Sequence, residues 1–223
     1  MQQTGGTIRS IHKLMNKSFR DRLFVVVLAL ISIASASAQD APRYTAADVR
    51  FMQGMIGHHA QALAMTALIP DRTTRQDIRL LGQRIQVSQK DEIAMMKQWL
   101  KDRHQQVPAS DALHDQQAAA VHMDMRGMAM SDTLMPGMLT TEQLAALART
   151  NGDEFAKLFL TDMIHHHEGA LVMVASLLGT TGSAQEAEVF RFASEVDSDQ
   201  RAEIARMSAL LAALGPTGAK SHR

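Results

Sequence analysis

The sequence contains FMQGMIGHHAQALAM at residues 51–65 and FLTDMIHHHEGALVM at residues 159–173. The two segments align without a gap, and Phe, Met, Ile, a pair of histidines, Ala, Leu and Met recur at equivalent positions. In both segments the apolar residues follow the spacing of one helix face, which predicts a helix for each. The fold is therefore expected to be built on two copies of one helix that carries adjacent histidines.

A second helix is duplicated as well, because EIAMMKQWL at residues 92–100 matches EIARMSALL at residues 203–211. Helix starts are predicted by three capping pairs, Thr45–Asp48, Thr140–Gln143 and Ser183–Glu186. Helix ends are predicted at Pro70 and before Gly215 and Pro216. No segment alternates as a strand would. The pattern predicts an all-α four-helix bundle of two repeated hairpins, about residues 44–103 and 140–214, joined by a long crossover connection.

The connection, about residues 104–139, is too long to be a simple turn in a compact domain. It is rich in Met and His, and its candidate ligands for a soft metal ion are His122, Met123, Met125, Met128 and Met130. Thioether and imidazole groups suit Cu(I), and Ag(I) by the same softness, whereas a hard ion needs oxygen ligands. The alternative is a linker of biased composition without a metal.

The N-terminal residues 1–38 have the pattern of a signal peptide, with a basic region, an apolar run at Leu23–Ile33 and Ala36-Ser37-Ala38 before the predicted cleavage. The start of translation is either Met1 or Met15. The apolar run is shorter than the roughly 18 residues that span a bilayer, so cleavage is favoured over a membrane anchor. The sequence predicts a periplasmic or secreted domain of residues 39–223, with no membrane association after cleavage.

Composition limits the chemistry of this domain. The leader takes five of the 23 Lys and Arg but only one of the 23 Asp and Glu, so the remainder is mildly acidic, which excludes a generic nucleic-acid surface. The chain has no cysteine, hence neither disulfides nor a thiolate metal site. A soft metal would have to be held by the 16 Met and 10 His.

The repeated helices place polar residues at matching depth on their inner faces. On the His-bearing helices, one arc holds Met55, His58, His59 and Met65, and its copy holds Met163, His166, His167 and Met173, while His165 points away. The partner helices contribute Gln89 and Glu92, then Gln200 and Glu203. We predict a central layer of four histidines that bind metal with these methionines, hydrogen-bonded by the Glu and Gln residues. The alternative is a self-satisfied hydrogen-bonded network.

At these residues the chain resembles the family known as domain of unknown function 305, whose mark is a Met-x-x-His-His-x-x-Ala-x-x-Met helix commonly followed by a Glu-Ile…Met…Trp-Leu helix. Residues 55–65 and 163–173 fit the first part and residues 92–100 the second, whereas residues 203–211 have Leu210 in place of the Trp. The resemblance implies an exported, ferritin-like four-helix bundle in a family with copper- or silver-associated relatives.

The leading hypothesis is a non-catalytic metal-binding protein that buffers, carries or gives resistance to copper, with Cu(I) favoured over Cu(II) or Ag(I). One alternative is a metal-dependent oxidoreductase that uses the same His and Glu layer. However, the sequence has no Glu-x-x-His motif of di-iron enzymes and no other catalytic motif. Another is a purely structural or partner-binding bundle. Stoichiometry, homo-oligomerisation and a copper-handling partner protein are left open by the sequence.

Overall fold

The computed structural model describes residues 44–108 and 134–215, which form helices and connecting turns and contain no strand. The helices are α1 (Ala46–Ala67), α2 (Ile69–Arg72), α3 (Gln76–Asp102), α4 (Thr141–Arg149), α5 (Gly152–Gly179) and α6 (Ala187–Ala213). The prediction of an all-α bundle is confirmed. The predicted signal peptide and the predicted ligands between residues 122 and 130 lie outside the described residues.

Two of the predicted helix starts have the expected capping geometry. The Thr45 hydroxyl accepts from the Asp48 N–H at 3.3 Å, and the Asp48 carboxylate accepts from the Thr45 N–H at 2.6 Å. Thr140 and Gln143 repeat this arrangement at α4. The second oxygen of Asp48 also accepts from the Ala184 N–H at 2.7 Å, although Ala184 is far away in sequence. This buried carboxylate therefore fixes the start of α1 to the turn before α6.

Two other boundaries differ from the prediction. Helix α1 ends at Ala67, and Pro70 lies in the first turn of α2. Backbone N–H groups in the first turn of a helix have no helical partner, so proline is tolerated there. Ser183 does not cap α6, because its hydroxyl donates to the Leu177 and Thr180 carbonyl groups at the end of α5. Position 186 is the N-cap instead, and its carboxylate accepts from Trp99 and Arg103 on the α3 side.

The four long helices form two hairpins, α1 with α3 and α5 with α6, and α1 packs against α5. One apolar cluster joins the first half of α1 to the second half of α5, through residues such as Met52, Ile56 and Val174. A second cluster joins the opposite halves, through Met65 and Phe159. Helices α1 and α5 are therefore antiparallel, and the His pairs lie between the two clusters, as predicted.

The last residues of the connection, Leu134–Leu139, form a non-helical segment against α1 and α5, which we call the strap. Gln61 holds it at one end, since its amide donates to the Leu139 carbonyl at 2.9 Å and accepts from the Leu139 N–H at 2.8 Å. Gly137, at φ +76°, lies directly against Gly169 of α5. A Cβ on Gly169 would lie 2.0 Å from the Pro136 carbonyl oxygen. The strap thus reaches the α5 backbone at mid-helix.

Within residues 44–108 and 134–215, no helix combines the length and the apolar character needed to cross a bilayer.

Candidate metal centre

The four predicted histidines meet in the middle of the bundle, and each is fully buried. The rings of His58 of α1 and His166 of α5 are in contact but tilted, with centroids 3.8 Å apart and planes inclined by 37°. Their neighbours lie on either side, at centroid distances of 6.3 Å for His58–His59 and 6.2 Å for His166–His167. The two His pairs of the repeat therefore form one continuous layer across the α1–α5 contact.

The outer histidine of each pair is bound by a glutamate from the partner helix of its own hairpin. His59 Nε2 lies 2.5 Å from Glu92 Oε2, and His167 Nε2 lies 2.5 Å from Glu203 Oε2. The other oxygen of Glu92 accepts from the Ser88 hydroxyl at 3.1 Å. The predicted hydrogen bonds between the glutamates and the histidines are present. The prediction is wrong for Gln89, because neither of its amide atoms has a partner among the described residues.

His58 has a different partner, because its Nε2 lies 3.0 Å from the Pro136 carbonyl oxygen of the strap. Ionised carboxylate and carbonyl oxygens only accept hydrogen bonds, so Nε2 donates in His58, His59 and His167. In a neutral ring the lone pair is then on Nδ1. His166 is the copy of His58 in the repeat, but a single strap meets only one of the two.

Several polar atoms of this layer are buried without a hydrogen-bond partner among the described residues. They are Nδ1 of His58, His59 and His167, both ring nitrogens of His166, both amide atoms of Gln89 and Oε1 of Gln200. Each such atom costs about 1–3 kcal/mol if nothing binds it. Three unpartnered Nδ1 atoms on rings held through Nε2 are the arrangement of metal-ligating histidines, whose other nitrogen donates to a carboxylate or carbonyl.

Burial keeps the central pair of histidines neutral. It lowers the pKa of His58 to about 3, with further lowering by His59 and His167, against an opposing effect of the Pro136 carbonyl. Burial also holds the pKa of His166 well below its ordinary value, and the charges of His58, His167 and His59 act in the same direction, against a smaller opposing effect of the His58 backbone. A neutral imidazole is the form that binds metal ions, so these rings need lose no proton before coordination.

The predicted methionine ligands of α1 and α5 lie in different environments in the structure. Met55 belongs to one apolar cluster and Met65 and Met163 to the other, and all three are fully buried. Met173 is only partly buried, and its methyl group approaches Gly54 on the side of the strap. The structure therefore places the histidines together but assigns three of the four methionines to the apolar packing on either side of them.

In the two described stretches, no group of three or more His, Asp and Glu residues is arranged to hold one metal ion. The carboxylates are instead directed at histidines. Such a layer does not provide the oxygen cage that a hard ion requires, and any ion bound here would rely on imidazole nitrogens.

Sequence reasoning missed the strap and the residues that hold it. Gln61 and Gly169 occupy equivalent positions in the two repeats, yet they differ, and both contact the strap. Gly54 likewise lies inside α1 at the point where Met135 approaches. The sequence contained one signal of the strap, namely a glycine inside each His-bearing helix. Glycine destabilises a helix interior, so it indicates a position where another segment passes close to the helix backbone.

The family described as Domain of unknown function (DUF305) matches residues 48–211. A DUF305 fragment from Deinococcus radiodurans is 29% identical, covering 77% of this chain and 99% of its own, with a TM-score of 0.60. A DUF305 protein from Streptomyces coelicolor, described as secreted, is 26% identical, covering 82% and 100%, with a TM-score of 0.61.

CopM in its Cu(I)-bound form is 24% identical, covering 76% of this chain and 98% of its own, with a TM-score of 0.55, a likeness that shows the shared fold. No curated protein matches the sequence. The match to the family extends through both His-bearing helices and both of their partners. This chain belongs to the DUF305 family.

Proposed function

We propose that this protein binds copper as a non-enzymatic buffer, carrier or resistance factor outside the cytoplasm, with Cu(I) held by the central histidines. The observation that carries the proposal is the hydrogen-bonding pattern shared by three buried rings, those of His58, His59 and His167. Each donates through Nε2 to an oxygen and keeps Nδ1 unpartnered in the interior. A hydrogen-bonded structural network would leave fewer polar atoms unsatisfied than this layer does.

The chemistry of the layer favours a soft or borderline ion. Imidazole suits copper, and neighbouring thioethers suit Cu(I) in particular. CopM has been determined in Cu(I)-bound and Cu(II)-bound forms. Because this chain shares the CopM fold, copper is the ion to test first. Export is proposed from the leader pattern of residues 1–38, together with the description of the Streptomyces relative as secreted.

Coordination through Nδ1 can be tested directly. Addition of Cu(I) to the ¹⁵N-labelled protein is expected to shift the Nδ1 resonances of His58, His59 and His167 while Nε2 of each ring keeps its hydrogen, since Nε2 is engaged by an oxygen. Long-range ¹H–¹⁵N NMR of the imidazole rings measures both nitrogens. Exposed His165 serves as the internal control. Unchanged Nδ1 resonances at saturating Cu(I) would refute the site.

The enzymatic alternative predicts turnover, and we expect none. With Fe(II) or Cu(I) as substrate, oxygen uptake should equal the protein-free rate, because the chain lacks the Glu-x-x-His pairs of di-iron enzymes. An oxygen electrode provides the measurement. Catalytic uptake that disappears on Glu92→Gln or Glu203→Gln would reverse the assignment and make the layer an oxidase centre.

A further inference from the structure

Two methionines flank Gly54 where the strap passes the first half of α1. A Cβ built on Gly54 would lie 3.3 Å from Met135 Sδ and 3.4 Å from the Met173 methyl carbon. Met135 comes from the strap and Met173 from the second half of α5, so three separate segments meet at this point. Both side chains are partly exposed, unlike the fully buried Met55, which belongs to the core.

Gly54 makes room for this thioether pair. Glycine inside a helix is destabilising by roughly 0.5–1 kcal/mol relative to alanine. At Gly54 a methyl group would press on the sulfur of Met135 and touch the methyl group of Met173. Apolar packing alone would be served better by a side chain at this position, which would bury more surface. The glycine thus leaves room beside one helix position for two neutral, soft ligands, both of which are partly exposed to solvent.

The pair also lies next to the histidine layer. Gly54 and His58 are four residues apart in α1, so they occupy the same helix face one turn apart. Along the strap, Met135 directly precedes Pro136, whose carbonyl oxygen accepts from His58 Nε2 at 3.0 Å. The methionines are therefore separated from the buried imidazole of His58 by one helix turn along α1 and by one residue along the strap.

We propose that Met135 and Met173 form a loading site, at which a soft monovalent cation such as Cu(I) or Ag(I) binds before it passes to His58. This inference rests on the proposed function of the histidine layer. Transfer exchanges neutral thioether ligands for neutral imidazole ligands, so neither a proton nor an electron has to move with the ion. Thioethers bind without deprotonation, which suits them to capture at the surface, whereas the buried imidazoles provide the stronger final site.

Ligand-resolved titration of the full chain tests the site. With ¹³C-methyl-labelled methionine and Ag(I) as the probe, the Met135 and Met173 methyl resonances are expected to shift together at the lowest additions. They should still shift when the four buried histidines are replaced by Gln, since the pair binds by itself. Met95 is the control, because it is an exposed methionine on α3. Methyl resonances of Met135 and Met173 that move no more than that of Met95 would overturn the proposal.

Transfer kinetics test the passage to the histidines. We expect the variant Met135→Leu/Met173→Leu to take Cu(I) from a chromophoric chelator at least about tenfold more slowly than the parent, with the same final histidine occupancy. Met95→Leu should load at the parent rate. A double variant that loads at the parent rate refutes the loading site while leaving the histidine site intact. A parent protein with no histidine-dependent uptake refutes the proposed function instead, and the methyl shifts then still report on the thioether pair.

Discussion

Replacing the four buried histidines with Gln is expected to weaken Cu(I) binding by the bundle by at least about a hundredfold and to abolish any Cu(II) spectrum. The substitutions are His58→Gln, His59→Gln, His166→Gln and His167→Gln. Glutamine retains hydrogen-bonding capacity at each position but offers no imidazole nitrogen. Competition with a Cu(I) chelator measures the affinity, and circular dichroism verifies that the helices are retained.

The matched control is His165→Gln, which removes the adjacent but exposed histidine of the same helix. It should leave copper affinity unchanged, because that ring lies outside the layer. A folded quadruple variant that binds copper as tightly as the parent would contradict the metal assignment. The pairs His59–Glu92 and His167–Glu203 would then be interpreted as a structural network.

The repeated parts of this fold can be predicted from the sequence, because each repeated helix is determined by residues close to one another in the chain. Apolar spacing predicts the helices, and the Thr45–Asp48 and Thr140–Gln143 pairs predict two of their starts. Duplication then predicts that the two His pairs lie at equal depth, since equivalent helices bury equivalent faces. The pairing of His59 with Glu92, and of His167 with Glu203, follows from the same symmetry.

The strap could not be predicted in this way, because its path has no periodicity and no second copy. It contacts α1 and α5 differently, through the Gln61 amide on one and the bare Gly169 backbone on the other. These two residues are equivalent in the repeat, so a mismatch within otherwise matching segments marks where a unique element binds. The same asymmetry explains why the strap binds His58 through the Pro136 carbonyl but does not bind its copy His166.

Ser183 shows a second limit of sequence reasoning. The Ser183–Glu186 spacing predicts an N-cap, but the hydroxyl donates to carbonyl groups at the end of α5. The Glu186 carboxylate accepts a hydrogen bond from Arg103 instead of forming the capping box. The Arg103 guanidinium also lies 4.3 Å from the centroid of the Trp99 ring. Contacts between distant helices outweigh a local cap here, since an ion pair and an indole N–H both require that carboxylate.

Gly169→Ala is expected to displace the strap and to lower the free energy of unfolding by about 1–3 kcal/mol. Helix propensity alone would predict the opposite sign, because alanine is favoured over glycine inside a helix by roughly 1 kcal/mol. The added Cβ would lie 2.0 Å from the Pro136 carbonyl oxygen and 2.6 Å from the Gly137 Cα, and both are backbone atoms that cannot rotate away. Denaturant unfolding followed by circular dichroism gives the free-energy difference.

The matched control is Gly179→Ala at the end of the same helix, where a Cβ would meet nothing within 4 Å. That variant should be as stable as the parent or more stable by up to about 1 kcal/mol. Only Gly169→Ala should also release His58 Nε2 from Pro136, which ¹⁵N NMR of the ring detects through the tautomer of His58. Equal stability of the two variants would mean that the strap does not lie against α5. A destabilised Gly169→Ala with an unchanged His58 tautomer would mean that α5 supports the strap without controlling the histidine layer.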